Sequence, residues 1–278
     1  MAETSSIERL SEIKVSASIE VRGKNATLAN FRNVIRKFMK VTDHYKKLGQ
    51  DAIEIIEKSM ANDDLDLLSS NHAFLHDFAI WLEILKDRPE STILKNAIKE
   101  YQLALLSNNQ GMYQQAFMGL RFFLERTFVA ILFSANEIEL NLWKIGERDT
   151  YWNEIAGIDK ESKQIQGIFS QKFCKAFFPE LKNELNHFFT ITTKVYRECS
   201  EYVHGNKSVI DKIPEKLEYS KELFYEWNAK ADIIKRVILF AFCLRYLNQL
   251  KPEEIKKISV TISEEFKSLP QITEKIKI

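Results

Sequence analysis

The stretch that most constrains the fold lies between Met112 and Asn136, where apolar residues recur at steps of three and four. A helix that is apolar on nearly all sides is stable only when other elements surround it. The sequence therefore predicts a helical bundle with this helix at its centre. The apolar positions are Tyr113, Phe117, Leu120, Leu124, Phe128 and Ile131, with Val129, Ala130, Leu132 and Phe133 around the far end.

The same periodicity recurs along most of the chain and is typical of amphipathic helices. Only 8 Gly and 5 Pro occur in 278 residues, which suits long helices joined by few connections. The predicted fold class is therefore all-α. Helices are predicted from residue 28 onward, and then at about 65–85, 92–106, 168–178, 181–204 and 219–250.

Two prolines set the expected boundaries between regions of the chain. Pro89 and Pro252 each follow a helical pattern, and proline cannot continue the hydrogen bonding of a helix. The sequence thus predicts an N-terminal helical region at 1–90, a helical bundle at 91–250 and a C-terminal tail at 251–278. In the tail, Ile258, Val260 and Ile262 alternate with polar residues, and this period of two predicts one short strand.

Charge and hydropathy limit the classes of partner. The formal net charge is +1, so a nucleic acid would have to bind a local patch. The longest apolar runs are far shorter than the roughly 20 residues that span a membrane. The polar N-terminus has no apolar signal core, so we expect a soluble, cytoplasmic protein without a membrane partner. The three cysteines, Cys174, Cys199 and Cys243, are widely spaced and fit reduced, buried thiols.

The chemically most suggestive stretch carries Arg197 and His204 near the end of a predicted helix. Seven helical steps of about 100° return to within about 20° of the start, so both side chains share one face. Gly205 is placed to end the helix, which leaves His204 at the negative end of the helix dipole. An Arg can hold a phosphate and a His can move a proton. The polar stripe that contains them comprises Asn186, Thr190, Thr193, Arg197, Ser200 and His204.

This stretch, Tyr196-Arg197-Glu198-Cys199-Ser200-Glu201-Tyr202-Val203-His204-Gly205, resembles the signature of HEPN domains, which are compact helical bundles. In that signature an Arg is followed, after four to six residues, by a His near a helix end. The upstream segment Leu120-Arg121-Phe122-Phe123-Leu124-Glu125 is also similar to an LR-x-x-LE helix found in bacterial helical proteins with such a stretch. The resemblance covers roughly residues 92–250.

The resemblance implies a metal-independent endoribonuclease that needs no cofactor. The RNA 2′-hydroxyl would attack the adjacent phosphate, with His204 as general acid or base and Arg197 holding the phosphate. Ser200 and Glu201, which lie between them, would position the imidazole. Glu198 stands where the family usually has Asn, Asp or His, and a carboxylate there is expected to repel an RNA phosphate.

The predicted site needs a second copy of the chain. Helix side chains lean toward the N-terminus, so Arg197 leans away from His204. Two helices related by a dyad would bring Arg and His from both copies together, and the resemblance also implies this arrangement. We therefore expect a homodimer, with a partner protein from the same operon in an anti-phage defence or toxin–antitoxin system.

Several charged positions leave alternatives open. Arg121 and Glu125 either form an ion pair that ties neighbouring helices, or act at the site, with Glu125 orienting Arg197 or Arg121 joining it on a phosphate. Likewise, Arg197 could form an ion pair with Glu201 instead of holding a phosphate.

Two further groups also have a structural and a functional interpretation. His72 and His76 have the spacing of a metal half-site, but surface or packing roles fit them better. A basic stripe near the N-terminus is either a solvated helix face or an RNA-binding surface. Its members are Arg32, Arg36, Lys40, His44 and Lys47.

Two other functions compete with cleavage. The bundle could be a non-catalytic scaffold subunit of a defence or toxin–antitoxin assembly. Alternatively, it could bind RNA or a nucleotide without cutting it, through the N-terminal basic stripe.

Overall fold

The computed structural model describes residues 28–61 and 65–277, and within the first helix it leaves out the side chains of 28–35, 38 and 39. These ranges contain α-helices and short 3-10 turns, with no strand beyond one isolated bridge between Ile158 and Ile165. The all-α prediction is confirmed. The helices are α1 (Leu28–Met60), α2 (Leu65–Ile84), α3 (Ser91–Asn109), α4 (Tyr113–Phe133), α5 (Glu137–Lys144), α6 (Trp152–Ala156), α7 (Gln171–Phe177), α8 (Leu185–His204), α9 (Lys207–Ile210), α10 (Lys221–Tyr246), α11 (Pro252–Glu265) and α12 (Pro270–Thr273).

The chain divides into two compact units after Asp51, within α1. The second unit, Ala52–Ile278, contains the remainder of α1 and all later helices. The expected boundaries near residues 90 and 250 both fall inside this unit.

Helix α4 lies at the centre of the bundle, as its apolar pattern predicts. It packs against α3, α8 and α10, and Leu120, Phe123 and Phe128 are fully buried. At Gly119, an added Cβ would lie 2.7 Å from the Cβ of Ala104, closer than real Cβ atoms approach one another. Glycine therefore permits the close packing of α4 on α3.

Helix α10 is the second deeply buried helix and packs against α4, α8 and α2. Its residues 237–244 are all buried. Phe240 stacks on Phe188 of α8, with ring centroids 3.6 Å apart. This contact fixes the buried face of α8 against the bundle and leaves its opposite face for solvent.

The predicted C-terminal strand is wrong, because this segment is helix α11. Pro252 occupies the first turn, where a missing N–H costs nothing, and the Lys251 N–H donates to Glu254 Oε2 at 2.8 Å. Ile258 and Ile262, four residues apart, are buried, whereas Val260 is 69% exposed. The two isoleucines fit both a period of two and one helical turn, and the core selects the helix.

The helical repeat of the sequence also predicts one apolar stripe along α1, formed by Phe31, Ile35, Phe38, Tyr45, Leu48, Ala52 and Ile56. Among the described side chains, this stripe is only partly buried. Tyr45, a predicted member of that stripe, is 68% exposed, whereas Ala52 is buried. The predicted positions Phe31, Ile35 and Phe38 lie outside the described side chains.

No helix within the described ranges combines the length and the apolar character that a membrane crossing requires. All three cysteines are buried, as expected.

Candidate phosphate-binding face of helix α8

Helix α8 presents Arg197 and His204 to solvent from one continuous element. Both side chains are exposed, and the helix ends at Gly205, whose φ of +63° is the left-handed cap conformation that glycine favours. The opposite face buries Val195, Cys199 and Tyr202. The sequence prediction of the helix, its end and the shared face is therefore confirmed.

Residues 190–193 of α8 are Thr-Ile-Thr-Thr, a run of β-branched side chains that disfavours a helix, yet the helix continues through them. Thr190 Oγ1 donates to the Asn186 carbonyl at 2.8 Å, and Thr193 Oγ1 donates to the Phe189 carbonyl at 2.8 Å. These bonds satisfy the hydroxyl protons within the helix. The register between Arg197 and His204 is thus kept.

Neither Arg197 nor His204 has a hydrogen-bond or ion-pair partner within the part of the chain that the structure describes. The alternative ion pair between Arg197 and Glu201 is not formed there. A guanidinium and an imidazole exposed in this way are available to an external ligand.

A groove of about 520 Å³ runs beside α8 and includes Arg197 but not His204. One chain therefore does not place the two side chains around a single groove. The residues that line it are Phe189, Thr190, Thr193, Lys194, Arg197, Glu198 and Glu201.

The carboxylate of Glu198 forms an ion pair with a lysine from α10. Glu198 Oε2 lies 2.5 Å from Lys230 Nζ, which lies 3.5 Å from Glu226 as well. Burial alone would lower the pKa of Lys230, but the hydrogen bond to Glu198 and the two carboxylate charges outweigh it and raise that pKa. Lys194 also approaches Glu198, at 4.0 Å. The repulsion of phosphate expected from Glu198 is thereby reduced.

The side chain of Arg121 reaches α8 through Tyr196, the residue before Arg197. Arg121 Nη2 donates to Tyr196 Oη at 2.9 Å and lies 3.6 Å from Glu125. Trp152 stacks on the ring of Tyr196, with ring centroids 3.6 Å apart and parallel planes. No contact of Arg121 or Glu125 with Arg197 occurs among the described residues, so the pair acts there as a tie between helices.

The remaining predicted residues have the following environments. Ser200 Oγ donates to the Tyr196 carbonyl at 2.7 Å, so its proton is committed to the helix. Glu201 is half-buried and lines the groove of Arg197. Of the N-terminal basic stripe, Arg36, Lys40, His44 and Lys47 are exposed, and the side chain of Arg32 lies outside the description.

His72 and His76 are both exposed on α2. In the described ranges, no three His, Cys, Asp or Glu side chains are grouped so that they could hold a metal ion.

Two further grooves open near the start of α8, and the sequence patterns did not single out the lysines that line them. Their volumes are about 420 Å³ and 330 Å³, and both include Gln171, Lys172 and Lys182. The signal available in the sequence was a set of lysines at 172, 175 and 182 around Pro179. Their spacing matches no motif, so only the fold brings them together.

Comparison with known proteins adds no further constraint. No family model matches the chain, and neither the curated proteins nor the solved structures give a match.

Proposed function

We propose that this chain is a metal-independent endoribonuclease of the HEPN type. The observation that carries the proposal is the pairing of Arg197 and His204 on one face of α8, both exposed and without partners among the described residues. A helix holds such side chains more precisely than a loop does, and their lack of partners leaves both available to a ligand.

The proposed reaction uses a nucleophile that belongs to the substrate. The RNA 2′-hydroxyl loses its proton, its oxygen bonds to the adjacent phosphorus, and the bond to the 5′-oxygen breaks. The products are a 2′,3′-cyclic phosphate and a 5′-hydroxyl. His204 removes or returns the proton, and Arg197 offsets the negative charge that develops on the phosphate. The scheme needs no cofactor.

The site is completed by a second copy of the chain. Arg197 and His204 are about 10.5 Å apart along the helix axis, and Arg197 leans away from His204. The groove at Arg197 does not reach His204. A homodimer with α8 against α8 would join Arg197 of one chain with His204 of the other.

The direct test is cleavage of tRNA and mRNA in EDTA by the wild type and by variants of α8. His204→Ala should lower the rate by about 10²–10⁴, the range of general acid–base catalysis. Arg197→Ala should also abolish most cleavage, and Arg197→Lys should recover only part, because lysine cannot bind phosphate in a bidentate manner. His187→Ala is the matched control, since His187 is exposed on the same helix. Cleavage that survives His204→Ala unchanged would overturn the proposal.

The composite site has its own test, which is to mix the two inactive variants. If Arg197→Ala and His204→Ala chains exchange freely, half of the dimers are mixed and each retains one intact pair across the dyad. Activity should then recover to roughly a quarter of the wild-type value. No recovery, together with a strict monomer by light scattering, would contradict the dimeric site.

The same assay separates two other functions. RNA binding without cleavage would indicate a binding module, for which the exposed Arg36, Lys40 and Lys47 on α1 are candidates together with Arg32. Neither binding nor cleavage would indicate a scaffold subunit. For each function we propose a bacterial anti-phage defence or toxin–antitoxin setting, with a partner protein from the same operon.

A further inference from the structure

The two grooves near the start of α8 are lined by lysines. Lys172, Lys175 and Lys182 are exposed, and none of them forms an ion pair within the described part of the chain. Lys172 and Lys182 line both grooves, and Lys175 lines the smaller one. We call these two concavities the lysine grooves.

The polar groups beside these lysines are amides rather than carboxylates. Gln164, Gln171, Asn183 and Asn186 line the larger lysine groove, and no Asp or Glu lines either of them. Glu180 and Glu184 lie in the connection between α7 and α8, but neither of them lines a lysine groove. An amide both donates and accepts hydrogen bonds, as the edge of an unpaired nucleobase does.

The larger lysine groove and the groove that contains Arg197 share no lining residue, but they follow one another along α8. Asn186 lines the larger lysine groove, and Thr190, one helical turn later, lines the groove of Arg197. The protons of Thr190 and Thr193 are bonded to helix carbonyls, so their oxygens remain free to accept hydrogen bonds. An RNA 2′-hydroxyl is a suitable donor.

We propose that the lysine grooves bind a single-stranded segment of RNA on the path to Arg197, an inference that rests on the proposed function. The lysines bind phosphates, and the amides bind bases. From Asn186 to Arg197 the helix extends about 16 Å, enough for several nucleotides. Each groove falls within the range of about 300–1,000 Å³ that is usual for small-ligand pockets, so an unstacked nucleotide fits. A duplex keeps its bases paired inside and cannot insert them.

The test compares two triple variants of equal charge. Lys172→Ala, Lys175→Ala and Lys182→Ala remove the charge of the lysine grooves. Lys256→Ala, Lys257→Ala and Lys267→Ala remove three exposed lysines from α11 and the segment after it. Both sets are made in the His204→Ala background, so that cleavage does not disturb the binding measurement. The probe is a fluorescein-labelled single-stranded RNA of roughly 16 nucleotides, followed by anisotropy.

The lysine-groove variant should bind this RNA about tenfold or more weakly, because it lacks three phosphate contacts. Between about 50 and 200 mM salt, the slope of log K against log salt should become shallower by about 2, since each contact on a single strand contributes about 0.7. The control variant should keep both the affinity and the slope. Annealing a complementary strand to the probe should weaken binding to the parent protein.

Equal affinities of the two triple variants, equal losses in both, or no binding by the parent protein would each overturn the proposal. So would a duplex that binds as well as the single strand. The outcome is separable from the proposed function. Normal binding by the lysine-groove variant, with cleavage still dependent on His204, refutes the lysine grooves alone. Loss of binding in that variant, with no cleavage by the wild type, refutes the nuclease alone.

Discussion

Glu198 of α8 and Lys230 of α10 form an ion pair of 2.5 Å, and the Lys230 side chain is only 12% exposed. The carboxylate next to Arg197 is therefore held against α10 and its charge is partly compensated. Lys230, which is 32 positions away in the sequence, thus reduces the repulsion between Glu198 and a bound phosphate.

Replacing this lysine should affect both stability and RNA binding. Lys230→Met leaves Glu198 and Glu226 without their shared cation, and we expect a loss of about 1–3 kcal/mol in the free energy of unfolding, measured in urea. It should also weaken binding of the RNA probe at low salt. Adding Glu198→Gln should restore part of that binding. Unchanged stability and binding in Lys230→Met would show that the pair has no electrostatic role.

The hydrogen bond from Arg121 of α4 to Tyr196 of α8 can be tested by removing its acceptor, the Tyr196 hydroxyl. Tyr196→Phe leaves a partly buried guanidinium N–H without its acceptor, and stability should fall by about 1–2 kcal/mol. Tyr151→Phe is the matched control, because Tyr151 is 56% exposed and should change stability by less than about 0.5 kcal/mol. Equal effects of the two substitutions in urea unfolding would contradict this role for Tyr196.

The helical assignment of the C-terminal segment makes unequal predictions for two neighbouring apolar residues. Ile262 is fully buried, so Ile262→Ala should cost about 2–4 kcal/mol. Val260 is exposed, and Val260→Ala should change stability by less than about 0.5 kcal/mol. A strand with one buried face would place both side chains on that face. Similar losses in the two variants, measured by thermal or urea unfolding, would therefore contradict the helix.

Cys199 predicts a loss of stability at alkaline pH. Burial raises the pKa of its thiol from 9.0 to about 12, so the folded state retains a proton that the unfolded state releases. Its contribution to stability is complete below about pH 9 and is lost as the pH rises toward 12. Between pH 9 and pH 11, the wild type should lose about 2 kcal/mol more than Cys199→Ala does. Parallel curves for the two proteins in urea unfolding would show that this thiol does not titrate differently on folding.

Local sequence patterns were sufficient for the elements that carry the candidate site. The apolar stripe of α4 placed it at the centre, and Gly205 marked the end of α8. Both signals act within a few residues, so they can be interpreted without knowing the fold. The polar face with Arg197 and His204 followed from the helical repeat alone.

What the sequence could not provide depends on contacts between distant residues. Ile258 and Ile262 fit a strand or a helix equally well, and their burial against the core decides between the two. The exposure of Tyr45 likewise depends on which part of α1 has neighbours. The partner of Glu198 and the grouping of Lys172 with Lys182 arise only when the helices pack.

The cap at Gly205 and the stack of Trp152 on Tyr196 flank the helical segment that carries Arg197 and His204. Because this segment is a continuous helix, the number of residues between the two side chains sets the angle between them around the axis as well as their distance along it. Inserting one residue between them would rotate the imidazole by about 100° around the helix relative to the guanidinium, while leaving every side chain chemically intact. Two insertions would turn it still further, whereas seven would bring it back to within about 20° of its original direction. An insertion series of this kind would show whether the protein depends on the phase of its helix, which single substitutions cannot reveal.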